Sequence, residues 1–466
     1  MNNIQNIECV IDKIELFSYF SPEIICLFAI LLNIFFFMFF RRRLNVKRIS
    51  DFITFGAFLL NTVILGSLLL RDKLFSINSD FTLFKDVLAF SDEHFIYKII
   101  VNLFFICFIA LTYKLTRKAR FKTPLVNSYL LLLAISSPFL LHSQNVLLSF
   151  ILLDISVFSI YKFASNMKMR NEYMYCADFV VMSVSATILF YSFYLIANII
   201  KIELQTSILN VCAALALLLK VGLFPIYNYT LNRHYKNNIP YSILLFTFLP
   251  FLGVLTFAKF IESNILSSEV FLLTLLIFIL VSILTCAINA FKTKNLVKYL
   301  ANFSYVNFSL MTCALLFSQD LSICIKTGFT FLFAMLGVYS LLCILKINLK
   351  IEKVNFSSLS GLFIKNGKFC ILFALIILIV LNIIPSAILQ NNLELLKGIY
   401  ISDKIASYVI LTAIAANALC LYNGLFAIKM CYTKTKNIKP LLNKETAINY
   451  AVSLSVILFL MIKLFL

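Results

Sequence analysis

Fourteen apolar runs of helical length, separated by short charged loops, constrain this chain more than any other feature of its sequence. Their approximate limits are 17–40, 52–70, 96–115, 124–142, 145–161, 176–199, 207–229, 240–258, 265–290, 297–317, 322–346, 369–393, 405–428 and 447–466. About 20 helical residues cross the hydrocarbon of a bilayer. Backbone N–H and C=O groups cannot be left unpaired there, so each run is expected to be helical. The pattern predicts an all-α polytopic membrane protein with about 14 transmembrane helices. Composition agrees: 62% of the 466 residues are hydrophobic and 13% charged, with a mean hydropathy of +0.97. Soluble domains run at about half apolar and a quarter charged. A water-soluble enzyme, a disordered tail and a disulfide-stapled secreted domain are excluded.

The formal net charge of +19 would suggest nucleic acid in a soluble chain. Here the basic residues sit in loops, where they determine topology, and no nucleic-acid partner is expected. Loops after odd-numbered runs hold 28 of the 40 Lys and Arg residues, among them Arg41, Arg42, Arg43, Lys47 and Arg48 after the first. The N-terminus, the opposite loops and the run edges beside them hold nine, Lys98 included. The alternation predicts both termini on the outer side. Residues Met1 to Glu15 are polar and acidic, unlike a signal or transit peptide, so the first run is expected to stay as a membrane element. No Gly-rich nucleotide-binding loop appears. The 12 cysteines include no C-x-x-C pair, and the three histidines have no ligand-spaced neighbour. No haem, zinc or iron–sulfur site is expected, and the 49 Phe and 21 Tyr are read as packing. Function must lie inside the membrane.

A charge at the centre of a membrane helix costs roughly 2.5–3.5 kcal/mol on insertion scales, so each one needs a reason. Asp154 lies midway along the fifth run and Lys220 inside the seventh. One reading makes them a proton-transfer pair on facing helices; the other makes them a static ion pair. Asp178 and Lys326 lie near run ends and can reach the interface. Glu23, after Pro22, begins the first run. Pro225 and Pro385 fall within apolar runs, each beside polar residues (Lys220; Gln390, Asn391 and Asn392). A proline there frees a carbonyl and breaks the helix. Paired broken helices in two halves of a transporter mark an ion path. The expected division is a three-helix segment at 17–115, five-helix repeats at 124–258 and 265–428, and a last helix at 447–466.

These residues resemble one family, the antiporter-like proton-translocating subunits of respiratory complex I. Within it they are most similar to the subunit N branch of bacterial NADH-quinone oxidoreductase, the counterpart of chain 2 of the mitochondrial enzyme. FSPEII resembles that branch's Pro-Glu opening, and NVLLSFILLDISVFSIY its fifth span, with Asp154 where a Glu is usual. LLKVGLFPIYNY resembles the segment that carries the family's Lys and Pro, matched here by Lys220 and Pro225. KNLVKYLANFSYVNFS, LSGLFIKN and IIPSAILQNN resemble its tenth-span, Gly-Leu and broken twelfth-span segments. The resemblance implies fourteen helices in an antiporter-like fold, with two inverted five-helix repeats and broken helices 7 and 12.

The departures are specific. The family's eighth-span Lys falls on Phe251 after Pro250, its twelfth-span Lys on Asn392 and its tenth-span His on Asn307. Its loop Asp and Glu fall on Asn232 and Tyr235. The resemblance thus implies proton transfer by Asp154 and Lys220, with Asn307, Asn392, Lys326 and Glu23 as a possible polar path and weakened pumping. It implies no cofactor in this chain, with quinone, FMN and iron–sulfur clusters in other subunits. Implied partners are the lipid bilayer and other complex I membrane subunits, including further antiporter-like ones. A bacterial inner membrane is expected, with the mitochondrial inner membrane as alternative. A multisubunit cation/proton antiporter and a structural scaffold are the competing readings.

Overall fold

The computed structural model describes the chain except residues 1, 41–44, 76–80, 84–87, 91, 119–122, 167–179, 193–213, 220–238, 263–268, 319–320, 350–353, 403–405, 434–450 and 458–466. Helix lies within every one of the fourteen apolar runs. The first six hold α1 Asn2–Phe40, α2 Asn45–Phe75, α3 Asp92–Lys118, α4 Thr123–His142, α5 Val146–Asn166 and α6 Val180–Ser192. Next come α7 (214–219), α8 Ile239–Glu262, α9 Glu269–Lys292, α10 Leu296–Ser318 and α11 Leu321–Leu349. A one-turn α12 Leu362–Lys365 precedes the twelfth run, which is two helices, α13 Gly367–Val380 and α14 Ala387–Ser402. The chain continues with α15 Ala406–Tyr432 and α16 (451–457). Among the described residues, nine helices are long and apolar enough to cross a membrane. Between α2 and α3 lies a small antiparallel pair, β1 Phe81–Leu83 and β2 Leu88–Phe90, which the apolar pattern does not signal.

Burial separates centre from rim. The apolar stretches of α8 and α11 are each 94% buried and form the middle of the molecule. On the rim, α1 exposes Phe28, Leu31, Met38 and Phe39, and α15 exposes Tyr408, Leu411 and Ile414. So much contiguous apolar surface suits a hydrocarbon surround. Lipid gives helices little hydrophobic reason to associate, so small residues and hydrogen bonds hold them together. Asn423 on α15 donates to the terminal carbonyls of α9, Ala290 at 2.5 Å and Phe291 at 2.7 Å. Helix ends leave such carbonyls without intrahelical donors. The last helix docks by a Ser340–Ser453 hydroxyl pair and by Val456 against Gly337.

Local sequence explains the turns. Asn145 starts α5 three residues after α4 stops, its side-chain oxygen accepting the Leu147 N–H at 2.9 Å. Asn295 does the same for α10, accepting from Lys298 N at 3.0 Å. Gly361, at φ 73°, occupies the left-handed region before α12, where a side chain would be strained.

The twelfth run breaks as expected, but its stop signal lies before the proline. Asn382 is left-handed at φ 60°. Its N–H bonds the Ile379 carbonyl at 3.0 Å, and the Ile383 N–H reaches back to Leu378 at 2.9 Å. That is a Schellman ending, with Asn in the place glycine usually takes. Pro385 follows in the linker, where it prevents continuation, and Ser386 then starts α14, its carbonyl accepting from Gln390 N at 3.1 Å. Gly424 on α15 leaves room for the linker: a Cβ there would meet Leu381 at 2.4 Å. The seventh-run break at Pro225 lies outside the described residues, as do Lys220, Asp178, Asn232 and Tyr235.

Candidate functional site

Asp154 stands half-buried on α5, facing α6. Its two carboxylate oxygens are bound separately: Ser183 Oγ donates to Oδ1 at 2.5 Å and Thr187 Oγ1 to Oδ2 at 2.6 Å. Ser183 and Thr187 are four residues apart, so one helical turn places both hydroxyls on the same face. Both bonds are short, as hydroxyl–carboxylate bonds are. Together they fix the direction of the Asp154 carboxylate between α5 and α6. Sequence reading found the aspartate and missed its holders. Their signal is a pair of hydroxyls at helical spacing within MSVSATILF, where Ser185 is the one other polar residue.

The positions where the family resemblance implied bases are neutral or apolar here. Phe251 is buried on α8 against α11, within 4.9 Å of the Phe329 ring and 6.4 Å of Phe308. Its ring fills the space beside Gly328, where a Cβ would lie 2.2 Å from the ring edge. Just upstream, α8 widens into a π-helical turn over Leu244–Phe248, closed by Leu249 N–H on the Leu244 carbonyl. Pro250 explains it: proline lacks the N–H and crowds the carbonyl four residues back, and the wider turn relieves both. Asn307 is buried and donates to the Phe303 carbonyl of its own helix at 2.9 Å. Asn392 donates to Asn382 Oδ1 at 3.2 Å, which ties α14 to the helix break. Its neighbour Asn391 reaches α11, donating to Thr330 Oγ1 at 3.2 Å. Lys326 is exposed on α11.

Glu23 is engaged in a different way. Its Oε1 lies 2.6 Å from Lys98 Nζ on α3, and both side chains are buried. Lys98 was counted from sequence among the run-edge charges that set topology; the structure turns it inward to an intramembrane ion pair. The polar Asp92, Glu93 and His94 just before it hid that role.

No protein-family model and no curated protein sequence matches the chain. Solved structures do. One is a chain of respiratory complex I from Thermus thermophilus, at TM-score 0.69 and 14% identity, covering 94% of this chain and 96% of that one. Another is a chain of the membrane-bound sulfane sulfur reductase, an archaeal respiratory membrane complex, at TM-score 0.74 and 13% identity, covering 96% of this chain and 93% of that one. The fold is antiporter-like. At such identities the fold is what is shared, and it is shared over nearly the whole length of both chains. Among the described residues, no group of His, Cys, Asp and Glu is placed to hold a metal ion.

Proposed function

We propose that the chain is a cofactor-free membrane-arm subunit of a proton-translocating NADH:quinone oxidoreductase, of the subunit N type. In this reading Asp154 and Lys220 exchange protons when redox chemistry in other subunits moves the surrounding helices. Both termini face the outer side, and the membrane is the bacterial inner membrane. The observation that carries the reading is the end-to-end fold likeness to a chain of respiratory complex I, joined to an intramembrane carboxylate whose two oxygens are each bound by a hydroxyl. A proton can be taken up by such a carboxylate at the expense of one of those bonds. Burial of Phe251 against Gly328 argues for weakened pumping, because a dry aromatic contact occupies the middle of the molecule.

The likeness to a chain of a sulfane sulfur reductase supports a second reading, in which the parent complex delivers electrons to an acceptor other than quinone. Tagging the chain, extracting the membrane in mild detergent and identifying its companions by mass spectrometry separates the two. Companions with a quinone-reducing arm support the first reading and a sulfur-reducing arm the second. Recovery alone, or with small antiporter subunits only, would overturn both.

A further inference from the structure

The ion pair between Glu23 and Lys98 belongs to neither Asp154 nor the helix breaks. It joins α1 to α3, with Glu23 Oε1 2.6 Å from Lys98 Nζ, and the two residues are 6% and 1% exposed. Glu23 lies three residues past Phe20, where the apolar stretch of α1 begins; Lys98 lies three past Phe95, where that of α3 begins. Both are thus one turn inside the same face of the membrane. Phe95 lies under the Lys98 ammonium at 5.8 Å, and Phe20 stacks on Phe139 at 6.0 Å. Phe20, Phe95 and Phe139 belong with Leu65 to a small apolar cluster of their own, separate from the main core. Phe20 and Phe95 each stand one helical turn before the charge on their own helix.

Desolvating two charges costs about as much as their attraction returns, so such a pair is weak evidence of a stabilising role. Intramembrane carboxylates mark proton relays far more often than they mark lipid-facing positions. The second Glu23 oxygen strengthens the case. Oε2 is buried, and no described residue donates to it. Nearby, the Asn61 amide of α2 is committed to the Pro22 carbonyl and Cys26 Sγ, both at 3.0 Å. Beside the pair stand Cys26 on α1 and neutral Asn61 on α2. Buried His142 ends α4, which packs on α1, and exposed Lys326 lies on α11, which meets α3 where Tyr97 stacks on Phe329.

We infer that Glu23, paired with Lys98, is a proton-exchange site of the N-terminal helices, separate from Asp154. A hydronium ion gives its proton to Oε2 and leaves as water, while Oε1 keeps its contact with Lys98; release reverses the step. The inference rests on the membrane reading of the fold and not on the identity of the parent complex.

The test is infrared titration of the full chain, extracted with whatever companions it holds, comparing wild type, Glu23→Gln and Lys98→Arg. A carboxylic C=O band that grows on acidification in wild type and is lost in Glu23→Gln is expected. Lys98→Arg keeps the ion pair, so the band should persist in it. A clamp that merely ties α1 to α3 keeps both charges, and predicts no Glu23-dependent band over the pH range in which the complex stays assembled. That result would overturn the proposal. Should Glu23→Gln fail to assemble, Glu23→Asp keeps a carboxyl group and decides the matter by a changed band frequency.

Discussion

Thr187 Oγ1 on α6 donates to Asp154 Oδ2 on α5 at 2.6 Å, while Ser183, one turn away on the same helix, holds Oδ1. Two short bonds of this kind fix the direction of a carboxylate inside an apolar bundle. A hydrogen bond to a charged group contributes about 1.5–3 kcal/mol. Replacing Thr187 by Val or Ser183 by Ala eases proton uptake by Asp154 and hinders release, and should change the translocation rate by roughly tenfold per bond lost. Assembly should be retained, because neither hydroxyl spans more than the α5–α6 contact. Initial rates in proteoliposomes, beside subunit recovery on a native gel, check this. Wild-type rates in the double variant would contradict it.

Phe251 and Gly328 make a knob and its hole. Gly328→Ala puts a methyl into the ring, and overpacking of this kind costs about 1–3 kcal/mol. Phe251→Leu relieves the clash, so the double variant should be more stable than the sum of the two single changes implies. A double-mutant cycle on thermal unfolding in detergent measures the coupling. Additive losses would mean that the ring does not occupy that space.

At the twelfth-run break, Asn382 and Pro385 separate two explanations. Asn382→Val forces a β-branched residue into the left-handed region and should destabilise the chain by at least about 1–2 kcal/mol. Asn382→Gly should leave the break intact, and Pro385→Ala should change little, because the Schellman bonds at Ile379 and Leu378 already end α13. Thermal unfolding of the three variants ranks them. If Pro385→Ala proved the most damaging, the stop would belong to the proline.

Asn423→Leu removes both donors from the end of α9. Membrane hydrogen bonds average about 0.6 kcal/mol each, with a maximum near 1.7. A loss of about 1–3 kcal/mol in detergent unfolding is expected from the pair. A neutral substitution would show that the carbonyls are satisfied by other means.

Hydropathy located the helices well because the bilayer imposes one length and one chemistry on every span. Within each of the fourteen runs read from sequence lies a helix. Features that depend on contacts between distant spans were not legible. Lys98 reads as an edge charge until α1 brings Glu23 to it. Ser183 and Thr187 read as ordinary membrane hydroxyls until α5 presents Asp154. The π turn at Leu244–Phe248 was in principle visible, since Pro250 sits in an otherwise unbroken helix, but proline alone does not choose between a kink and a wider turn. Asn382 carries the same lesson: a left-handed asparagine is a backbone state that no apolar pattern encodes.

The account stands most directly on Asp154. The measurement is protons translocated per electron by the parent complex in proteoliposomes, comparing wild type with Asp154→Asn at equal electron flux and equal assembly. Asparagine keeps the shape, its Oδ1 accepting from one of the two hydroxyls and its Nδ2 donating to the other, but it carries no titrating proton. The account predicts a lower ratio in Asp154→Asn. An unchanged ratio, with the chain present in full amount, would contradict it.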